Sequence, residues 1–171
     1  NLFDIDNLKN IHLLRPESTS QEIFTNSNDD QTFFHNLFYS KLNSDWLEFK
    51  NVYTSFIKQV VKPILKTEYL IYQTLPTFRV QLPNNIAVGG STDPENDEKY
   101  GWHRDSDDEY NHPDGEKNFI IPLTDASGTA SLFIETSPGS DIFESAEMKT
   151  GEFFRFNGSK CLHGNKVNIT G

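Results

Sequence analysis

The sequence predicts a mostly β domain, a jelly roll carrying a layer of helices at its N-terminal end. Three observations lead there. Apolar residues recur at helical spacing only within residues 31–65. From residue 68 onward the pattern shortens to brief apolar or alternating runs. Gly, Pro, Asn and Asp clusters separate those runs at close intervals, as in all-β sandwiches and barrels. A chain of 171 residues is most simply one domain, long enough to bury a core without disulfides or structural metal. We read 1–67 as the helical layer and 68–171 as the jelly-roll core, apparently without its last strand.

The elements follow in order. Residues 1–30 are polar and weakly periodic, with one short strand expected at Leu2–Ile5. A first helix begins near Gln31, with Phe33, Phe34, Leu37, Phe38 and Leu42 on one face. A second is capped by Asn43 or Ser44, and its pairs Val52/Tyr53, Phe56/Ile57, Val60/Val61 and Ile64/Leu65 repeat every four residues. Pro63 kinks or ends it. The aromatic stripe is expected to pack on a sheet. Strands are expected in "YLIYQTL", "TFRVQL", "IAVGG", "NFIIPL", "ASLFIE" and "EFFRF".

Charge narrows the partners. A formal net charge of −10 lacks the basic footprint that nucleic acids or anionic membranes require. A single cysteine, Cys161, forbids an internal disulfide and suits a reducing cytosol. No apolar run approaches membrane-spanning length and no signal pattern opens the chain, so a cytoplasmic location is expected.

The stretch "YGWHRDSDDEYNHPDGEKNFIIPL" carries two H-x-D patterns. In a strand, residues two apart project to the same side. His103 and Asp105 would therefore offer an imidazole and a carboxylate to one metal, with Trp102 and Arg104 pointing away. A third ligand must come from a distant strand. Of the five His in the chain, His163 in "CLHGN" is the late candidate, while His12 and His35 lie in the N-terminal region. Two His and one carboxylate on one face, with positions left open, is the arrangement of non-haem Fe(II) oxygenases. The rival pattern, His112-x-Asp114, contains Pro113 and Gly115 and reads as a turn.

Two other metal readings compete. Asp105, Asp107, Glu109, Asn111 and Glu116 fall at calcium-loop positions, but Tyr110 occupies the place that needs Gly, and a strand rather than a helix follows. Cys161-x-His163 could share a face around zinc, yet no ligand pair such as C-x-x-C accompanies it. A lone cysteine is more often a buried small apolar residue.

"PTFRVQLPNN", "WHRDSDDEYNHPDGEKNFIIPLTDA" and "GEFFRFNGSKCLHGNKVNITG" together resemble the streptomycin-biosynthesis-type family of Fe(II)/2-oxoglutarate-dependent oxygenases. The likeness runs from Phe78 to Gly171. It implies a double-stranded β-helix of cupin-like shape, with Fe(II) held by His103, Asp105 and His163 and with 2-oxoglutarate and O2 as cosubstrates. The implied reaction oxidises 2-oxoglutarate to succinate and CO2 while hydroxylating a small metabolite, sugar-like or amino-sugar-like. A basic residue for the far carboxylate of 2-oxoglutarate is expected just past Gly171. Within the chain, Arg79 and Asn118 are the cofactor-binding candidates, with a surface salt bridge and a turn cap as their alternatives. Gln81, Trp102, Tyr110 and His112 are candidates for substrate contact, with lid packing the alternative for Trp102 and Tyr110. Two further classes stay open: a cupin-type isomerase or lyase without 2-oxoglutarate, and a non-catalytic jelly-roll binding protein.

Overall fold

The computed structural model describes residues 2–3, 6–13, 33–83 and 102–170. Helices occupy the first half of the described chain and β-structure the second. Helix α1 spans Phe33–Asn43 and helix α2 spans Leu47–Phe56. The latter runs on through a π-helical segment, Ile57–Val61, into a last α-helical turn, α3, at Lys62–Leu65. Pro63 sits in the first turn of α3. A proline supplies no N–H and crowds the carbonyl four residues back, and the wider π turn just before it accommodates both effects. The helix ends instead at Lys66, which adopts a left-handed conformation with φ 50°.

Caps at Asn43 or Ser44 do not form. Trp46 takes the N-cap position of α2 without a side-chain hydrogen bond. The Ser44 hydroxyl donates back to the Lys41 carbonyl at 2.6 Å and so closes α1.

The aromatic stripe buries Phe34, Phe38 and Leu42, but not against a strand of either sheet. Its centre is Phe78, which stacks on Phe38 with ring centroids 4.4 Å apart. Leu2, Phe3, Trp46, Phe49 and Val80 complete this helical core. The Phe78 N–H donates to the Tyr39 hydroxyl at 3.0 Å, which fastens the segment to α1. Burying a Phe in this way stabilises by about 1.5–3 kcal/mol.

Two expected strands are absent. "YLIYQTL" and the described "TFRVQL" form no ladder. Tyr69 is 82% and Ile71 100% exposed, so a favourable β-propensity there finds no sheet edge among the described residues. The turn holding Leu2 and Phe3 replaces the beginning of the expected N-terminal strand, whose remaining residues, with Gln31 and "IAVGG", lie outside the described residues.

Five short strands follow: β1 Asn118–Ile120, β2 Leu132–Glu135, β3 Phe143–Ser145, β4 Phe154–Phe156 and β5 His163–Asn165. They form two antiparallel sheets, one pairing β1 with β4 and one ordered β3-β2-β5. Phe119 stands opposite Arg155 in the first, and Ile134 stands opposite His163 in the second. Ile134, Ala146, Met148 and Cys161 make a second core, with Ile120, Leu132 and Phe156 packed around it. No helix among the described residues is long and apolar enough to cross a membrane.

Candidate metal centre

Beyond β5 the sheet continues by a single residue. His103 and His163 form an isolated antiparallel bridge and exchange both backbone hydrogen bonds, each 3.0 Å. Residues directly opposite in an antiparallel pair project to the same face. No extended strand forms around the bridge, yet Asp105 turns its carboxylate to both imidazoles while Trp102 stacks on Phe133 and Arg104 donates to the Lys160 carbonyl. One bridge therefore gathers all three groups.

Asp105 Oδ1 lies 3.5 Å from His103 Nε2 and 3.5 Å from His163 Nε2. One ligand atom from each of the three residues lies within 4.8 Å of the others, and this set could hold a metal ion. With metal–nitrogen bonds of about 2.0–2.1 Å, adjacent ligands around an octahedral ion stand roughly 3 Å apart, near the 3.5 Å at which Asp105 Oδ1 meets each imidazole. The His163 Nδ1 lies 3.0 Å from the Cys161 carbonyl. A carbonyl only accepts, so Nδ1 carries a hydrogen, and Nε2 is the nitrogen that either shares a proton with Asp105 or, once that proton is lost, offers its lone pair to a cation.

Asp105 is 7% exposed. Burial pushes its carboxyl pKa up. Hydrogen bonds from His103, His163 and Asn118, together with the His163 charge, outweigh that and hold it well below the ordinary carboxylate range. The charged form of the carboxyl is thus favoured. The Asn118 amide donates to Asp105 Oδ2 at 2.8 Å, and its oxygen accepts the Gly158 N–H at 3.0 Å.

An open cavity of about 540 Å³ reaches this triad, lined by Arg79, His103, Asp105, Tyr110, His112 and Glu116 among others. Tyr110 stacks on the His103 ring, with centroids 4.1 Å apart. Burial first, then the charges of Glu109, Asp107 and Asp105, raise its pKa, so the phenol stays protonated as a donor. His112 Nδ1 lies 2.8 Å from Glu116 Oε2.

The remaining expectations divide. Arg79, Tyr110 and His112 reach the cavity. Trp102 does not: it stacks on Phe133, meets Phe143 edge-on and donates from Nε1 to the Asn165 carbonyl at 3.1 Å. Gln81 is also elsewhere, donating to the Thr129 and Lys166 carbonyls at 2.9 and 2.8 Å. Its oxygen accepts from Asn165 at 3.2 Å. Asn118 sits against the Asp105 carboxylate with both ends of its amide engaged. Sequence reasoning missed Gln73, Thr77 and Asn111 on the cavity wall. Gln73 and Thr77 carry no pattern that marks them, and Asn111 is marked only by the calcium-loop spacing.

The calcium reading fails on the backbone. Asp107 turns its carboxylate back to accept the Arg104 N–H at 2.8 Å. The loop closes on itself through Tyr110 N–H and Asn111 N–H to the Asp107 carbonyl, 2.9 and 2.8 Å. Among the described residues, His103, Asp105 and His163 form the only His/Cys/Asp/Glu group able to hold a metal. Cys161 is not one of them and lies in the second core.

The chain is similar to the streptomycin biosynthesis protein StrG of Streptomyces griseus. The two are 31% identical over 153 residues, which is 90% of this chain and 64% of that protein. The chain thus spans less than two thirds of its relative's length. No family model matches the chain, and no solved structure does.

Proposed function

We propose that the protein is a biosynthetic enzyme of the non-haem Fe(II)- and 2-oxoglutarate-dependent dioxygenase class, acting on a small sugar-like or amino-sugar-like metabolite, on a double-stranded β-helix. The observation that carries this reading is the convergence of two imidazole Nε2 atoms and one carboxylate oxygen on a single point open to a cavity. Such a facial donor set suits Fe(II) with positions left for other ligands. The similarity to a streptomycin biosynthesis protein supports a biosynthetic role.

In this reading His103, Asp105 and His163 hold the metal. When bound, Fe(II) with 2-oxoglutarate would supply oxidative decarboxylation coupled to oxygen insertion at a substrate C–H bond. The chain's own residues bind and orient. Arg79 supplies positive charge to a cavity whose other charged residues, Asp105 and Glu116, are acidic, which suits a dicarboxylate such as 2-oxoglutarate. Tyr110 covers one face of His103 and offers a hydroxyl donor. The His112–Glu116 pair lines the same cavity and presents polar groups to a hydroxylated substrate. At about 540 Å³ the cavity falls within the range that holds metabolite-sized ligands.

The test is anaerobic addition of Fe(II) and 2-oxoglutarate, reading the visible absorption band of the chelate, followed by succinate measurement in air. His103→Ala and His163→Ala are expected to abolish both signals. Wild-type protein that binds Fe(II) yet gives neither chelate band nor succinate removes the 2-oxoglutarate reading and leaves a cupin-type metal enzyme.

A further inference from the structure

A ring of hydrogen bonds stands behind the triad, and the proposed reaction does not by itself require it. Asp105 N–H donates to the Gly158 carbonyl at 2.9 Å. Gly158 N–H donates to Asn118 Oδ1 at 3.0 Å. Asn118 Nδ2 donates to Asp105 Oδ2 at 2.8 Å. The ring closes. Its partners also determine which way the amide points, because an ionised carboxylate only accepts and a backbone N–H only donates.

Gly158 is the residue that lets the ring form. A Cβ there would collide with Asp105 Oδ2 and Asn118 Oδ1. The turn backbone therefore lies flat against the carboxylate, and only glycine permits that approach.

We infer that Asn118 is a positioning residue that restricts Asp105 to a single ligating oxygen. The two oxygens have different surroundings: Oδ1 faces both imidazoles, and Oδ2 is held by the Asn118 amide. A carboxylate free to turn would bind a metal through both oxygens and occupy an extra coordination position. Held to Oδ1, it leaves three positions of an octahedral ion open, the number needed for a bidentate 2-oxo acid and one further ligand. The amide bond to Oδ2 also fixes the carboxylate plane, as partners behind metal ligands commonly do. This inference rests on the metal-centre reading above.

The experiment compares wild type with Asn118→Ala and Asn118→Ser, the latter keeping a hydroxyl too short to reach Asp105. Circular dichroism and thermal melting establish which variants fold. Titration with Co(II), followed by its visible spectrum, measures metal affinity without turnover. Anaerobic addition of 2-oxoglutarate to the Fe(II)-loaded protein then measures chelation. Folded variants are expected to bind Co(II) about 10–100-fold more weakly, with a changed Co(II) spectrum and weaker 2-oxoglutarate chelation. A folded variant with wild-type Co(II) affinity, spectrum and chelation overturns the role of Asn118 alone. Wild-type protein that takes up neither Co(II) nor Fe(II) overturns the metal centre and, with it, this inference.

Discussion

His103 and His163 face each other across one antiparallel bridge, each donating its N–H to the other's carbonyl at 3.0 Å. Sixty residues of chain separate them, yet their imidazoles share a face because the pairing is direct and in register. The site's integrity is therefore a question of what holds that bridge.

Gly164 is one answer. A side chain there would press into the Trp102 indole, which lies over the strand on the face opposite the imidazoles. Gly164→Ala should force the indole or the strand to move. A loss of about 1–3 kcal/mol is expected, read by urea denaturation, with a parallel loss of metal affinity. Unchanged stability and metal binding would mean that Trp102 is not packed as described.

Gln81 should behave differently. Its amide serves two carbonyls and the Asn165 side chain, and it does not line the cavity. Gln81→Ala leaves those partners without it and is expected to cost about 1–3 kcal/mol of stability. Co(II) affinity of the folded variant should stay within about twofold of wild type, close to measurement error. A selective loss of substrate binding with full stability would restore the role expected from sequence.

His112 is the converse case. It lines the cavity but contributes nothing to the donor set. His112→Ala should leave melting temperature and Fe(II) binding close to wild type while weakening turnover of the cognate substrate. Loss of metal in this variant would contradict the assignment of the triad.

Glu135 sets an acid limit on the fold. It is buried, accepts N–H bonds from Asp141 and Leu162 at 3.0 and 3.1 Å, and lies 3.7 Å from the Arg104 guanidinium. The Asp141 bond is the largest influence. Burial opposes it, and the Leu162 and Gly139 bonds with the Arg104 charge bring the pKa below its ordinary 4.5. The unfolded chain then takes up this proton first as pH falls. The stabilisation is complete above the ordinary value and disappears as pH drops through the folded one. Glu135→Gln should therefore flatten the pH dependence of urea stability on the acid side, as pH falls through and below the ordinary glutamate range. An unchanged slope would remove Glu135 from the acid transition.

Much of the site is visible in the sequence because alternation along a strand is a local property. His103 and Asp105 share a face, and Trp102 and Arg104 oppose them, on the strength of spacing alone. Helical periodicity likewise places Phe33, Phe34, Leu37, Phe38 and Leu42 on one face of α1, of which Phe34, Phe38 and Leu42 are buried while Phe33 is 40% exposed. Turn chemistry marks "HPDG" as a turn, and the Glu116 N–H closes it on the Pro113 carbonyl at 2.9 Å.

Other features depend on which distant segments meet, and no local pattern encodes that. β-propensity in "YLIYQTL" finds no neighbouring edge among the described residues, and no strand results there. Phe78 fills the helical core instead of a sheet. Asn118 and Gln81 look alike as polar residues beside apolar runs. Only the folded chain shows that one grips the Asp105 carboxylate and the other ties β5 to the Thr129 turn. Residue types and their spacing set the chemistry on offer and the face each group occupies. Tertiary structure decided register and approach, because a shift of one residue between His103 and His163 would send one imidazole to the opposite side of the sheet.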